Sequence, residues 1–179
     1  MNESITFEEG EYGTRAILQT EWRDSFLDEL SKKGIQEIEL NDGKGWRGND
    51  INFLKDFPQL RSLVILDLSI DSIEAVHFLN GLINLELTTY SDVPIDFTCF
   101  PNLKKCWFEW IKGSDSLFKC ETLRNLGVNR YPKKSSAAFR ELVNLGELSI
   151  YNSPLENLDG AFSLNELKNL EIVRLRKLA

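Results

Sequence analysis

Histidine and methionine are nearly absent from this chain, with one residue of each among 179. Because His77 is the sole histidine, we expect neither a metal site built from several histidines nor a nucleophile activated by a histidine. The three cysteines, Cys99, Cys106 and Cys120, are odd in number and lack the close spacing of zinc ligands. We therefore expect reduced, packed thiols, no metal and no cofactor.

Long apolar runs are missing as well. The first residues show no basic segment followed by an apolar stretch, as a secretory leader would, and no apolar run reaches the length of a membrane span. Together with the odd number of cysteines, these absences predict a cytoplasmic protein that has no membrane partner.

The charge is acidic and unevenly distributed, with a net charge of −7. Residues 1–60 hold 13 acidic and 7 basic residues, whereas residues 121–179 hold 7 acidic and 9 basic residues. An acidic excess over most of the chain disfavours nucleic acid as the partner and favours a protein with a basic surface.

What the chain does contain is a repeat with a spacing of 20 to 25 residues. An apolar-x-x-apolar-x-apolar pattern occurs at Ile35/Ile38/Leu40, Leu60/Leu63/Ile65, Leu82/Leu85/Leu87, Leu103/Cys106/Phe108, Leu123/Leu126/Val128, Leu145/Leu148/Ile150 and Leu170/Val173/Leu175. A second apolar ladder precedes six of these in the same phase, at Leu54/Phe57, Val76/Leu79, Phe97/Phe100, Leu117/Cys120, Phe139/Leu142 and Leu164/Leu167. Two ladders with one period predict stacked repeats that share a core.

The pattern and its period resemble those of the leucine-rich-repeat superfamily over about residues 35–178. The stretch from Leu68 to Val76 is similar to the short repeats of bacterial, internalin-like proteins. The resemblance implies an α/β repeat fold, a leucine-rich-repeat solenoid with about seven parallel strands in a curved sheet. We assign residues 35–179 to these repeats.

Residues 1–34 precede the repeats and are predicted to form an N-terminal cap that covers their first end. The alternation in residues 4–8 and 14–19 predicts a hairpin, and Thr20 is expected to cap a helix that stops at Gly34. The apolar face of this hairpin-plus-helix cap is predicted to include Trp22, Phe26, Leu27 and Leu30.

The concave side of the sheet, which we call the open face, is formed by the fifth and seventh positions of each pattern, because strand side chains alternate with a period of two. These positions are Glu39/Asn41, Val64/Leu66, Glu86/Thr88, Trp107/Glu109, Gly127/Asn129, Ser149/Tyr151 and Arg174/Arg176, with Glu37 projecting from a third position. The open face is the predicted binding surface.

Trp107 is predicted to stand outward at the centre of the open face, where an exposed tryptophan is typical of a protein interface. The alternative is that it packs across the sheet without a ligand, and the notch at Gly127 would seat either a partner side chain or the indole itself. Trp110 and Tyr131 are expected at the rim. The candidate partner-binding residues are Glu37, Glu39, Val64, Leu66, Glu86, Thr88, Trp107, Glu109, Trp110, Asn129, Tyr131 and Tyr151.

A glycine-rich stretch, Gly43–Gly48, has the spacing of a dinucleotide-binding turn. Glu37 and Glu39 on the preceding strand argue against that function, because a central parallel strand is apolar on both faces. The stretch is interpreted as a longer loop. Since the acidic residues show no general acid–base pairing and the chain has no room for an additional catalytic domain, we expect a protein that is not an enzyme.

Three functions are compatible with these observations. The first is a non-catalytic protein-binding module, in the form of an immunity or antitoxin protein that occludes a basic toxin such as a nuclease. The alternative is an intracellular adaptor or regulatory scaffold. The third is a phosphate- or nucleic-acid-binding module, which the acidic charge disfavours and which would use Lys133, Lys134, Arg174 and Arg176.

Overall fold

A computed structural model describes residues 4–174 of the chain. Within this range nine strands form one sheet whose spatial order is the order of the chain. They are β1 Ile5–Glu9, β2 Thr14–Leu18, β3 Glu37–Asn41, β4 Ser62–Leu66, β5 Asn84–Thr88, β6 Lys105–Glu109, β7 Asn125–Asn129, β8 Glu147–Tyr151 and β9 Asn169–Val173. β1 pairs antiparallel with β2, and each later pair is parallel. The predicted solenoid is confirmed, and the hairpin adds two strands to its sheet.

The connections between strands run behind the sheet as short helical turns. They include 3₁₀ helices at Asp42–Lys44, Asn52–Asp56, Glu74–Phe78, Phe97–Cys99, Ser114–Lys119 and Ala137–Glu141, and two α-helices, α1 Ser25–Lys33 and α2 Asp159–Phe162. Each repeat buries its strand residues, such as Leu63 and Ile65 of β4, against return residues such as Val76 and Leu79. Because each fully buried aliphatic side chain stabilises the fold by about 1.5–3 kcal/mol, the stack of repeats stabilises what one repeat could not.

The last repeat differs from the sequence prediction in its register. We expected core positions at Leu170, Val173 and Leu175, but Leu170 and Ile172 are the inward pair, and Leu170 aligns with Leu148 of β8. This alignment keeps the 22-residue offset (148 − 126 and 170 − 148) that relates the inward leucines of β7, β8 and β9. The sequence pattern placed Val173 in the core instead of Ile172. Both side chains are apolar, so the pattern alone does not distinguish the two registers.

The corrected register changes which side chains of β9 belong to the open face. A shift by an odd number of residues moves every side chain of a strand to the opposite face of the sheet. Glu171 and Val173 are the outward residues of β9, where Arg174 and Arg176 were expected. Arg174 follows the strand with a φ of 58°, while Leu175 and Arg176 lie outside the described residues. Within the described part, an acidic residue therefore stands at this end of the face.

α1 lies between β2 and β3 and packs Phe26 and Leu30 into the core. The helix begins after Asp24 rather than after Thr20, so Trp22 precedes the helix instead of lying on its apolar face. The Trp22 ring stacks on Phe53 with 3.9 Å between ring centroids, and this stacking holds the chain outside the helix. Gly34 ends the helix in the left-handed conformation, as predicted.

The glycines of the loop after β3 make room for a buried indole. Trp46 is fully buried, and a Cβ at Gly48 would lie 2.6 Å from its Cζ2 atom. Gly45 adopts a left-handed φ of 111°, which favours glycine. The packing of Trp46 thus gives the glycine spacing a structural reason.

Candidate functional site

The parallel register aligns the outward side chains of the open face in three rows. The start row is Glu37, Ser62, Asn84, Lys105, Asn125, Glu147 and Asn169. The middle row is Glu39, Val64, Glu86, Trp107, Gly127, Ser149 and Glu171. The end row is Asn41, Leu66, Thr88, Glu109, Asn129, Tyr151 and Val173. Ten of the candidate residues lie in these rows; the other two, Trp110 and Tyr131, follow their strands.

Trp107 lies at the centre of the middle row and is 38% exposed. A Cβ built on Gly127 would lie 2.0 Å from its Cδ1 atom, so the indole itself occupies the space above this glycine. The ring is also 6.0 Å from the Tyr151 ring. The indole therefore rests on the sheet at one side and faces solvent at the other, and its N–H makes no hydrogen bond with any described residue.

Three of the four acids in the candidate set, all except Glu86, are paired within the chain. The pairs are Glu37–Arg15 at 2.7 Å, Glu39–Lys44 at 2.9 Å and Glu109–Arg130 at 2.8 Å between charged atoms. All three carboxylates are buried, and Glu37 is only 1% exposed. Their charges are neutralised by cations from the hairpin and from loops, which the repeat pattern does not describe.

Glu86 is the acid that remains unpaired. It lies in the middle row beside Trp107, is half-buried, and forms no hydrogen bond or ion pair with any residue in the described range. Burial, followed by the negative charge of Glu39, raises the pKa of the Glu86 carboxyl. A cation placed beside Glu86 would counter both effects, so this position favours a positively charged ligand.

Glu147 and Glu171 extend the negative charge toward the C-terminal end of the face. Glu147 accepts a hydrogen bond from the side-chain amide of Asn125 at 2.5 Å, and Glu171 accepts one from the Tyr151 hydroxyl at 2.5 Å. Because these partners are neutral, they orient the carboxylates without cancelling their charge. Both residues were absent from our candidate set: Glu171 was lost through the register error, and Glu147 occupies a start-row position that we did not consider.

The tip of the N-terminal hairpin reaches across the start row. Glu11 accepts from the Lys105 ammonium at 2.6 and 2.8 Å, although the two residues are 94 positions apart. Next to it, the Tyr12 N–H donates to Glu37 at 2.5 Å. The hairpin therefore ties the first end of the sheet to β6 and neutralises the lysine that neighbours Trp107.

Tyr131 belongs to the core rather than to the rim of the open face. It is fully buried, lies 4.9 Å from the Trp110 ring and 5.0 Å from the Phe139 ring, and donates its hydroxyl hydrogen to the Ser135 carbonyl at 3.2 Å. Burial raises the pKa of Tyr131 to about 12. The rim position was wrong for Tyr131, because the chain turns behind the sheet after β7, and Trp110 is partly buried against the same aromatic cluster.

The catalytic and metal-binding residue types are scattered over the structure. Within residues 4–174, no group of three His, Cys, Asp or Glu side chains is arranged to hold a metal. His77 lies on the return side, where its Nε2 atom accepts from the Asp96 N–H at 3.0 Å.

The cysteine thiols should be poorly reactive in the folded protein. Burial raises the pKa of Cys106 well above its ordinary value and that of Cys120 to about 11, which disfavours the reactive thiolates. We expect a thiol reagent at mildly alkaline pH to label Cys99, which is partly exposed, before the other two. Peptide mass spectrometry with and without urea would measure this order, and rapid labelling of native Cys106 would contradict it.

The stacked parallel strands with 3₁₀ return segments define a leucine-rich-repeat fold. The fold is similar to that of a solved internalin (inlF) from Listeria monocytogenes strain 4b F2365, with a TM-score of 0.55 and 13% sequence identity. The match covers 80% of this chain and 49% of the internalin chain, so this chain spans about half the length of that structure. No protein-family model and no curated protein sequence matches the chain.

None of the helices between residues 4 and 174 has the length and apolarity needed to cross a bilayer.

Proposed function

We propose that this protein binds another protein with a basic surface through its open face. The observation that carries this proposal is Trp107, exposed at the centre of the sheet beside the unpaired carboxylate of Glu86. Tryptophan anchors dominate the energy of many interfaces, and complementary charge accelerates association.

The size of the open face suits a protein rather than a small molecule. The seven strands of the open face, β3 to β9, extend over roughly 29 Å at a spacing of ~4.8 Å, and five residues per strand extend over about 16 Å. The product, on the order of 460 Å², is more than half of the roughly 800 Å² that one partner buries in an interface of standard size. A sheet with fixed strand register also loses little conformational freedom when it binds.

Within this function, we favour an immunity or antitoxin role. A rigid acidic face suits the stoichiometric occlusion of a basic toxin such as a nuclease, whose own site must attract phosphate. An intracellular adaptor or scaffold is the second candidate. Leu68 and Tyr90 favour it, because they are 49% and 54% exposed just beyond the ends of β4 and β5 and add apolar contact area to the edge of the open face.

The proposal is tested with wild-type protein and Trp107→Ala as baits in lysate of the source organism. Phe162→Ala is the matched control, because Phe162 is an aromatic residue 72% exposed on α2, away from the open face. Circular dichroism checks the fold of each bait. We expect wild type and Phe162→Ala to retain one basic protein that folded Trp107→Ala does not retain.

The purified partner then separates the two forms of the proposal. Stoichiometric 1:1 binding that abolishes a toxic activity of the partner supports the immunity role, whereas several partners of moderate affinity support the adaptor. The association rate should fall steeply as salt is added, because opposite charges steer the encounter. A partner retained equally by all three baits, or an acidic partner, contradicts binding through the open face.

A further inference from the structure

A trough runs along the open face beside Trp107. Its volume is about 220 Å³, and its lining includes Glu86, Lys105, Trp107, Gly127, Glu147 and Ser149. These residues belong to β5, β6, β7 and β8, so the trough crosses three strand spacings, or about 14 Å. It is an open depression at the centre of the proposed interface.

The volume of the trough sets the size of the group that can enter it. About 220 Å³ open to solvent is enough for one long side chain that projects from the partner's backbone. The trough is therefore treated as a site for a single side chain.

The walls of the trough differ in chemistry along its length. At the β5 end, Glu86 offers a carboxylate that has no partner within the described residues. In the middle, the Trp107 ring covers Gly127 and forms an apolar wall. At the β8 end, Glu147 adds a second negative charge whose amide partner does not neutralise it.

Lys105 also lines the trough, but its charge is already compensated. Its ammonium group is held by both oxygens of Glu11, at 2.6 and 2.8 Å. The Glu11 interaction therefore prevents Lys105 from neutralising Glu86 and leaves the trough negative.

We propose that the trough accepts one arginine side chain of the protein partner, with its guanidinium group against Glu86 and its methylene stem along Trp107. This proposal rests on the proposed function and names the partner group that the centre of the open face recognises. A phosphate or carboxylate would be repelled by Glu86 and Glu147.

Arginine fits these walls better than lysine. The planar guanidinium is weakly hydrated, stacks on aromatic rings and pairs with a carboxylate through two parallel hydrogen bonds. The lysine ammonium is a strongly hydrated point charge that gains less from a flat apolar wall. We therefore expect selection for arginine as well as for positive charge.

The test uses Nα-acetyl-arginine amide as the probe and nuclear magnetic resonance of the tryptophan indole N–H groups as the readout. The chain has four tryptophans, and a Trp107→Phe variant assigns the signal of Trp107. We expect a saturable shift of this signal with a dissociation constant in the millimolar range, as for one charged pair with one stacked contact. The lysine derivative should bind several-fold more weakly, and the neutral, nearly isosteric citrulline derivative should not bind.

Two charge-neutralising variants locate the guanidinium within the trough. Glu86→Gln should weaken the probe about tenfold, because a charge-assisted hydrogen bond is lost. Glu147→Gln should weaken probe binding less than about threefold at 0.1 M salt. Glu147 on β8 lies three strand spacings, about 14 Å, from Glu86 on β5, and this separation exceeds the Debye length. Glu141→Gln removes the same charge from the exposed return side and should leave binding unchanged.

An arginine site is excluded if the Trp107 signal shows no saturable shift, if citrulline or lysine derivatives bind equally well, or if Glu86→Gln binds as wild type does. These outcomes are distinct from a failure of the proposed function. If the proposed function fails, the wild-type, Trp107→Ala and Phe162→Ala baits all retain the same proteins. A partner lost by Trp107→Ala, combined with an unresponsive Trp107 signal, would keep the open face as the interface and overturn its arginine selectivity.

Discussion

Replacing Gly127 with alanine should weaken the complex with the basic partner by about 2 kcal/mol, or roughly 30-fold, while the protein stays folded. The added Cβ would lie 2.0 Å from Cδ1 and 2.3 Å from Nε1 of Trp107, closer than atoms can approach. Because Trp107 is exposed, its ring can swing into solvent, and the interface then loses its anchor as if the ring had been truncated. A red shift of the tryptophan fluorescence would report the movement of the Trp107 ring into solvent. Isothermal titration calorimetry would measure the loss of affinity for the partner.

Gly146→Ala is the matched control for this substitution. A Cβ at Gly146 would meet the carbonyl oxygens of Arg124 and Glu166 at 3.7 and 3.8 Å, which are ordinary contacts. The control should therefore bind the partner as wild type does. If Gly127→Ala moves the Trp107 ring and yet binds with unchanged affinity, Trp107 is a packing residue and not an anchor.

Replacing Arg15 with methionine should lower the free energy of unfolding by about 3 kcal/mol. Arg15 donates from Nε and Nη2 to the Glu37 carboxylate at 2.9 and 2.7 Å, and Glu37 is almost fully buried. Without the guanidinium, a buried negative charge remains with the Tyr12 N–H as its hydrogen-bond donor. Urea unfolding followed by circular dichroism would measure the loss.

Two comparisons identify the cause of this loss. The double variant Arg15→Met/Glu37→Leu removes both charges and should recover part of the stability, since apolar pairs often replace buried ion pairs at little cost. Lys105→Met breaks the exposed pair with Glu11 and should cost less than about 1 kcal/mol. Equal losses for Arg15→Met and Lys105→Met would show that burial of Glu37 does not matter.

The fold could be predicted from the sequence because its two apolar ladders are local and repeated. The inward residues of β3 to β8 lie where a period of two within each pattern places them. The register of β9 could not be predicted, because Ile172 and Val173 are both apolar and pairing with β8 decides between them. The start of α1 was missed for a similar reason, since Trp22 stacks on Phe53 of the first return segment, 31 residues (53 − 22) further along the chain.

The candidate site was predicted less completely than the fold. The position of Trp107 in the open face followed from the repeat alone. Tyr131 was assigned to the rim because the repeat pattern does not show that the chain turns inward after β7. The role of Gly127 depended on whether a partner side chain or the Trp107 indole filled its notch, and in the structure the indole fills it.

The sequence by itself determined the repeat, the strands β3 to β8 and the outward side chains of their middle and end rows, because strand periodicity is a property of neighbouring residues. The tertiary structure alone decided which of those side chains keep a free charge. Glu37 is paired by Arg15 from the hairpin, and Lys105 is paired by Glu11 from its tip, whereas Glu86 has no partner among the described residues. Ion pairing depends on distances of a few ångströms between segments far apart in the chain, and only the folded chain sets those distances.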